Sequence, residues 1–152
     1  IEQLLKDDFN KSDCVIAFGG GILGDLSAFI SNLTKRGLKF VNIPTTLLAQ
    51  ADASIGGKTG INSSQGKNLI GTYYQPDFVL SDVSILKSLP RREMISGYGE
   101  ILKHSLILDR KFFFWLSKNG KKIINKKGAL VGLPPPDRYH RSWLGKIFMV
   151  LQ

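Results

Sequence analysis

The triple glycine Gly19-Gly20-Gly21 lies between an unbroken apolar run and a stretch of helical periodicity, and it constrains this chain more than any other feature. The run before it, Cys14 to Phe18, is short and continuous, as expected of a strand buried on both faces of a parallel sheet. Cys14 fits that strand as a small buried hydrophobe. After the glycines, Leu23, Leu26, Phe29, Ile30 and Leu33 recur at helical spacing. Arg36-Gly37 then closes the helix with a basic last turn and a left-handed glycine. Lys39 to Ile43 make a second strand, and Pro44 stops it. Ile1 to Phe9 read as the end of a preceding helix. This alternation of strand, punctuation and helix predicts an α/β fold.

Gly19, Gly21 and Gly24 satisfy G-x-G-x-x-G at the point where a strand gives way to a helix. Glycines there let the backbone approach a pyrophosphate, whose charge is met by the helix amino terminus. The ordinary dinucleotide fingerprint also needs an acidic residue about 20 positions further on, at the end of the second strand. Asn42-Ile43-Pro44 stand there instead. The motif is therefore either a phosphate loop without the usual ribose contact or simply a tight turn.

A second signal runs from Thr45 to Asn62 and on to Gly66-Lys67-Asn68. Gly57-Lys58-Thr59 suggests a Walker A loop, but Asp52 occupies the position where that loop requires its first glycine, which argues against a P-loop NTPase. Lys58 and Lys67, each preceded by glycine, remain beside Asp52 and Asn68. Lysines supply point charge to a phosphate, while Asp and Asn orient hydroxyls, so the set suits a small hydroxylated polyanion. The plainer alternative is two flexible glycine loops with surface lysines.

The third signal is a helix opening near Ser88-Leu89-Pro90, with Ser88 as cap and Pro90 in the first turn. Met94, Tyr98, Ile101, Leu102 and Ser105 fall on one side, and Glu100, Lys103 and His104 share a face. Glu100 could ligate a metal. One carboxylate and one imidazole a turn apart make a weak metal signal, so His104 is expected to hydrogen bond or lie exposed. The alternative for Glu100 is an exposed ion pair with Lys103. The run Phe112-Phe113-Phe114-Trp115-Leu116 is too apolar to leave in water and reads as helix packing.

Composition adds bounds. A chain of 152 residues with 43% hydrophobic content can build a modest core. Its net charge of +9 favours anionic partners. Lys118, Lys121, Lys122, Lys126 and Lys127 form a basic stretch that reads as a solvated helix end rather than a nucleic-acid surface. A lone cysteine points to a reducing, cytoplasmic setting. No apolar stretch reaches the roughly 18 residues of a membrane span, and the first residues carry no signal pattern. The chain opens on Ile1, as expected of a segment that begins inside a longer reading frame.

Taken in order, these segments resemble a known family. Ala17-Phe18-Gly19-Gly20-Gly21-Ile22-Leu23-Gly24-Asp25, Arg36-Gly37, Ile43-Pro44-Thr45-Thr46-Leu47-Leu48-Ala49-Gln50, Gly56-Gly57-Lys58-Thr59-Gly60 and Gly66-Lys67-Asn68-Leu69-Ile70-Gly71 are similar to 3-dehydroquinate synthases. So are Tyr74-Gln75-Pro76, Leu89-Pro90-Arg91-Arg92-Glu93 and Gly99-Glu100-Ile101-Leu102-Lys103-His104. The likeness covers residues 1–127. It implies a partial Rossmann-like NAD-binding α/β domain over 1–88, the start of an α-helical metal and substrate domain over 89–127, and a tail, 128–152, unlike the family.

By the same resemblance, Gly20, Gly21 and Asp25 match the NAD pyrophosphate loop. Thr45, Thr46, Lys58, Ser88 and Glu93 match further cofactor contacts, with Ser88 standing where the family commonly has Thr. Asp52, Lys58, Lys67, Asn68 and Lys103 match substrate-binding positions, and Arg36 matches an arginine that reaches the partner's site in a homodimer. Glu100 matches the carboxylate ligand of a catalytic zinc or cobalt, and Lys58, Glu100 and Lys103 form the implied catalytic set. The family's reaction turns 3-deoxy-arabino-heptulosonate 7-phosphate into 3-dehydroquinate and phosphate in the shikimate route to aromatic amino acids. NAD is regenerated in each turnover. The family's metal site is completed by two histidines of a later helical domain, and His140 stands in a segment unlike the family and is not assigned that role. Another sugar phosphate cyclase is the neighbouring reading. A noncatalytic nucleotide- or polyanion-binding piece is the reading from a different class, and nucleic-acid binding through the lysines stands third.

Overall fold

The computed structural model describes residues 1–7 and 9–125; Lys126, Lys127, His140 and the 128–152 segment lie outside them. The element order is α1 (Glu2–Lys6), β1 (Cys14–Gly19), α2 (Gly21–Leu33), β2 (Lys39–Pro44), β3 (Lys58–Ser63), β4 (Gly66–Tyr73), β5 (Phe78–Val79), α3 (Arg91–Leu108) and α4 (Arg110–Ile124). Three short helical turns join them: a 3-10 turn at Thr34–Arg36, a π turn at Ala49–Ala53 and a 3-10 turn at Val83–Ser88. The described chain divides into two compact units. The first holds Ile1–Pro44 and Ala53–Leu80, and the second holds Thr45–Asp52 together with the chain from Ser81 onward.

In the first unit β1, β2 and β5 form a parallel sheet in the order β1-β2-β5, with Cys14 opposite Lys39 and Gly19 opposite Pro44. The glycine turn and α2 make the crossover between β1 and β2, as the sequence suggests. The surface that α2 buries differs from the pattern of large apolar residues. Gly24, Ala28 and Ser31 are buried, whereas Leu23, Leu26 and Leu33 are exposed. Small residues let the helix backbone lie close to the strands: a Cβ on Gly24 would sit 3.2 Å from the Asn42 side chain of β2.

β1 is not buried on both faces within the described residues. Ala17 is at 2% exposure, but Ile16 and Phe18 are at 62% and 61%, because α2 covers one face only. Cys14, at the strand's open end, is exposed rather than a core residue. The end of α2 also differs. Lys35, Arg36 and Gly37 all take positive φ, at 46, 64 and 110°, so the left-handed reversal is spread over three residues instead of falling on glycine alone. The two glycine-lysine segments are not flexible loops: they form an antiparallel hairpin, β3 with β4, that pairs Lys58 with Tyr73. Tyr74 ties the hairpin's exit to the sheet, donating its hydroxyl to the Leu38 carbonyl at 2.5 Å. Burial, and then the nearby Asp77 carboxylate, push that phenol's ionisation up.

The second unit is built on α3 and α4. Leu47, Leu86, Leu89, Met94, Leu116 and Ile123 form its core, with Tyr98, Ile101, Leu102, Phe112 and Trp115 packed against it. The apolar side read from the sequence of α3 is thus the buried side, and the aromatic run serves helix packing. Ser88 is not the cap of α3. It ends the preceding 3-10 turn, where its hydroxyl donates to the Ile85 carbonyl at 3.1 Å, and Pro90 takes the cap position without a side-chain bond. Asp109 separates the two helices: its extended backbone ends α3, and its carboxylate accepts from Lys111 and Phe112 N–H at 2.7 and 3.0 Å.

Candidate metal centre and anion cleft

Glu100, Lys103 and His104 share a face of α3, where Lys103 is exposed and Glu100 is mostly buried. Lys103 Nζ donates to Glu100 Oε1, and His104 Nε2 lies 3.0 Å from the same oxygen. A third donor comes from far away in the sequence. Asp52 sits in the π turn Ala49–Ala53, a local widening of helical geometry that recurs at functional sites. The part of that turn up to Asp52 is anchored within the second unit. Thr46 accepts the Ala49 N–H on its hydroxyl at 3.1 Å, buried Gln50 donates to the Asp82 carbonyl at 3.0 Å, and Leu47 enters the core. The result is a cluster in which one ligand atom each of Asp52, Glu100 and His104 lies within 4.8 Å of the others.

The donor set fits a divalent cation. Two ligand atoms about 2.1 Å from a metal, at tetrahedral or octahedral angles, stand ~3.0–3.4 Å apart, which matches the Glu100–His104 separation. Carboxylate oxygen with imidazole nitrogen is the mixture that zinc and its first-row neighbours accept. Glu100 thus lies within 4.8 Å of two other potential donor atoms. His104, expected to hydrogen bond or lie exposed, is within reach of the same centre and mostly buried, at 17% side-chain exposure.

The first unit carries a separate cleft of about 340 Å³, lined by Asp25, Lys58, Asn68, Thr72 and Tyr73 among others. Its size is that of a small-ligand site. Three residues singled out from sequence, Asp25 on α2, Lys58 at the head of β3 and Asn68 on β4, meet there. Asn68 takes φ 55° and gives its N–H to Asn62 Oδ1 at 3.1 Å, next to a break in the hairpin register. The cleft wall is braced by Asn32 of α2, which donates to Thr72 Oγ1 at 2.8 Å, and by the 3.0 Å contact between Thr59 and Thr72 hydroxyls. Lys67, next to Asn68, is exposed on β4.

The glycine turn opens α2, with Gly20 as its N-cap. A Cβ on Gly19 would lie 2.6 Å from Leu23 Cδ2, and one on Gly21 would lie 3.1 Å from Ala53 Cβ. A side chain at Gly21 would need Ala53 to give way slightly, whereas at Gly19 the flexible end of Leu23 could turn aside; the first-turn N–H groups of a helix have no acceptor within it, so the turn suits a pyrophosphate. Asn42, where the ordinary fingerprint has an acid, is buried against Gly24 and serves helix packing. Among the other sequence-derived positions, Thr45 and Thr46 are half-buried at the start of the second unit, and Ser88 and Glu93 are exposed on either side of Pro90. Arg36 is exposed on the left-handed turn after α2.

The family model for the N-terminal part of 3-dehydroquinate synthase matches residues 1–96. This chain belongs to the 3-dehydroquinate synthase family. The 3-dehydroquinate synthase of Pelagibacter ubique is 63% identical over 128 residues, covering 84% of this chain and 35% of that protein. That of Bartonella tribocorum is 54% identical over 130 residues, covering 86% and 34%. The chain therefore spans about a third of the length of the curated relatives it matches.

Among solved structures, a 2-epi-5-epi-valiolone synthase from Streptomyces hygroscopicus subsp. jinggangensis, with NAD+ and Zn2+ bound, superposes with a TM-score of 0.81 at 34% identity. The match covers 86% of this chain and 37% of that one. A 2-deoxy-scyllo-inosose synthase complexed with carbaglucose-6-phosphate, NAD+ and Co2+ gives a TM-score of 0.61 at 34% identity, over 63% and 26%. The α/β fold with a parallel sheet is thus that of 3-dehydroquinate synthases and their sugar phosphate cyclase relatives. Sequence reasoning did not join Asp52 to Glu100 and His104; the spacing of Glu100 and His104 was the one local signal of that centre.

Proposed function

We propose that the protein to which this chain belongs is a 3-dehydroquinate synthase, a phosphate-eliminating lyase that turns 3-deoxy-arabino-heptulosonate 7-phosphate into 3-dehydroquinate. The observation that carries this reading is the cluster of Glu100 with Asp52 and His104, on a chain 63% identical to a protein of that name. When bound, NAD would take and return a hydride, and a zinc or cobalt ion would polarise substrate oxygens.

The chain's own residues bind and orient. The bare backbone of Gly20 and Gly21, with Asp25, Thr45, Thr46, Lys58, Ser88 and Glu93, receives the dinucleotide. Asp52, Lys58, Lys67, Asn68 and Lys103 hold the sugar acid, the lysines neutralising phosphate and carboxylate and the Asp and Asn side chains fixing hydroxyls. Glu100 is the metal ligand. Lys103, bonded to the Glu100 carboxylate, is set to steady that ligand or to meet substrate charge nearby. Arg36, on its strained turn, reaches a second copy of the protein in a homodimer. The setting is cytoplasmic and the partners are small molecules rather than nucleic acid; no described helix is long and apolar enough to cross a membrane.

Phosphate release from the heptulosonate, followed with and without chelator and with NAD supplied, tests the reading. Metal-dependent release with formation of dehydroquinate is expected. NAD binding without turnover by the protein containing this chain would reduce it to a nucleotide-binding piece. Its likeness to the inosose synthase favours one second reading, a cyclase acting on another sugar phosphate. Turnover of glucose 6-phosphate in preference to the heptulosonate would establish it.

A further inference from the structure

We propose that Asn32 is a positioning residue: through Thr72 and Thr59 it fixes the spacing between α2, which carries Asp25, and the β3–β4 hairpin, which carries Lys58 and Asn68. The proposal rests on the reading of those three side chains as binding residues and adds to them one that acts through its neighbours. All of these residues lie in the first unit.

Three observations carry it. Asn32 Nδ2 donates to Thr72 Oγ1 at 2.8 Å, from helix to strand across 40 residues of sequence. The bond does not end at Thr72. The Thr59 hydroxyl donates to the Thr72 carbonyl at 3.1 Å, and the two threonine hydroxyls stand 3.0 Å apart. A hydroxyl has one proton to give. Since that of Thr59 goes to the carbonyl, the Thr72 hydroxyl donates to Thr59, and one directed chain runs from Asn32 through both threonines to the hairpin backbone. Thr59 is at 8% exposure, so removing a member leaves a buried polar group unmet.

Finally, the chain of bonds ends where the cleft begins. Thr59 follows Lys58 on β3 and pairs with Thr72, as Lys58 pairs with Tyr73. Lys58, Asn68, Thr72 and Tyr73 line the cleft together with Asp25. Asp25 and Asn32 are seven residues apart on α2, two turns along one face and about 10 Å from each other. The residues that α2 buries, Gly24, Ala28 and Ser31, are small and interlock little, so a directional bond is suited to hold the helix against sliding.

The test uses the complete protein that contains this chain and follows NAD+ affinity by calorimetry, kcat and KM for the heptulosonate phosphate, and urea midpoints. Asn32→Ala and Thr72→Val, the second an isostere without the hydroxyl, should each weaken NAD+ binding and raise KM about fivefold, the worth of one neutral hydrogen bond. Both constants are read where the urea curves show each variant fully folded. The double variant should be no worse than either single one, since both break the same chain. Thr72→Ser keeps the hydroxyl and should lose far less than Thr72→Val. A purely structural role would lower the active fraction, and hence kcat, while KM and the NAD+ dissociation constant stayed at wild-type values.

Wild-type constants in folded Asn32→Ala overturn the proposal, and so does a double variant whose loss is the product of the single losses. An effect that follows the methyl group, with Thr72→Ser impaired and Thr72→Val normal, overturns it as well; should Asn32→Ala fail to fold, this threonine pair decides. Lys58→Ala separates the two levels. If it weakens NAD+ binding while Asn32→Ala does not, the inference alone falls, and if neither changes either constant, the reading of the cleft falls with it.

Discussion

Single side chains in the second unit carry distinct and measurable burdens. Gly97 lies where α3 meets the Thr45–Asp52 segment, and a Cβ there would stand 2.6 Å from both Leu47 Cβ and Leu48 N. Gly97→Ala should therefore destabilise by about 1–3 kcal/mol, the usual cost of overpacking, seen as a lower urea midpoint at unchanged slope. Asp82 behaves differently. Its carboxylate accepts from the Ser84 hydroxyl and N–H, both at 2.7 Å, and these bonds hold its pKa below the usual carboxylate range. A depressed folded-state pKa contributes stability that is present above the unfolded value of about 3.9 and lost as pH falls through the folded one. The melting temperature of wild type should drop across that acid range more than that of Asp82→Ala, and equal slopes would show that the capping bonds contribute nothing. Tyr98 has the opposite sign. Burial raises its pKa, so the stability linked to its neutral form is present below about 10 and lost in more alkaline solution.

At the scale of elements, what could be read from sequence depended on whether the pattern was local. Strand, glycine turn, helix and second strand were legible because each announces itself within a few residues. The apolar side of α3 was legible for the same reason, and Met94 and Ser105 are both fully buried. The buried side of α2 was not, because close backbone approach selects Gly24, Ala28 and Ser31 over the leucines that a hydrophobic count weighs most. The Ser88 cap failed since a 3-10 turn had already engaged its hydroxyl. Asp52 was visible as a polar group but not as a partner of Glu100, since no local spacing encodes a contact between a π turn and a distant helix. The pairing of α3 with α4 gives a test at this scale. Leu116 is at 1% exposure in the core, and Tyr98 donates to its carbonyl at 2.9 Å. Leu116→Ala should cost about 2–5 kcal/mol, whereas Phe114→Ala, on the exposed side of the same helix, should cost well under half of that in parallel denaturant titrations.

For the whole molecule, a cation held with Glu100 as a ligand, as proposed, would be bound only by folded protein. At a free metal concentration of 100 times Kd, linkage adds about 2.7 kcal/mol to stability. Scanning calorimetry with graded Co2+ should show a melting temperature that climbs with metal and returns on chelation; a transition indifferent to metal would count against the centre. The path of the backbone gives this a second meaning. The chain crosses into the second unit at Thr45, goes back at Ala53 and crosses again at Ser81. The two units are therefore braided along the gene rather than arranged end to end. No single scission point yields both as intact pieces. Replacing either unit as one contiguous segment would carry part of the other with it.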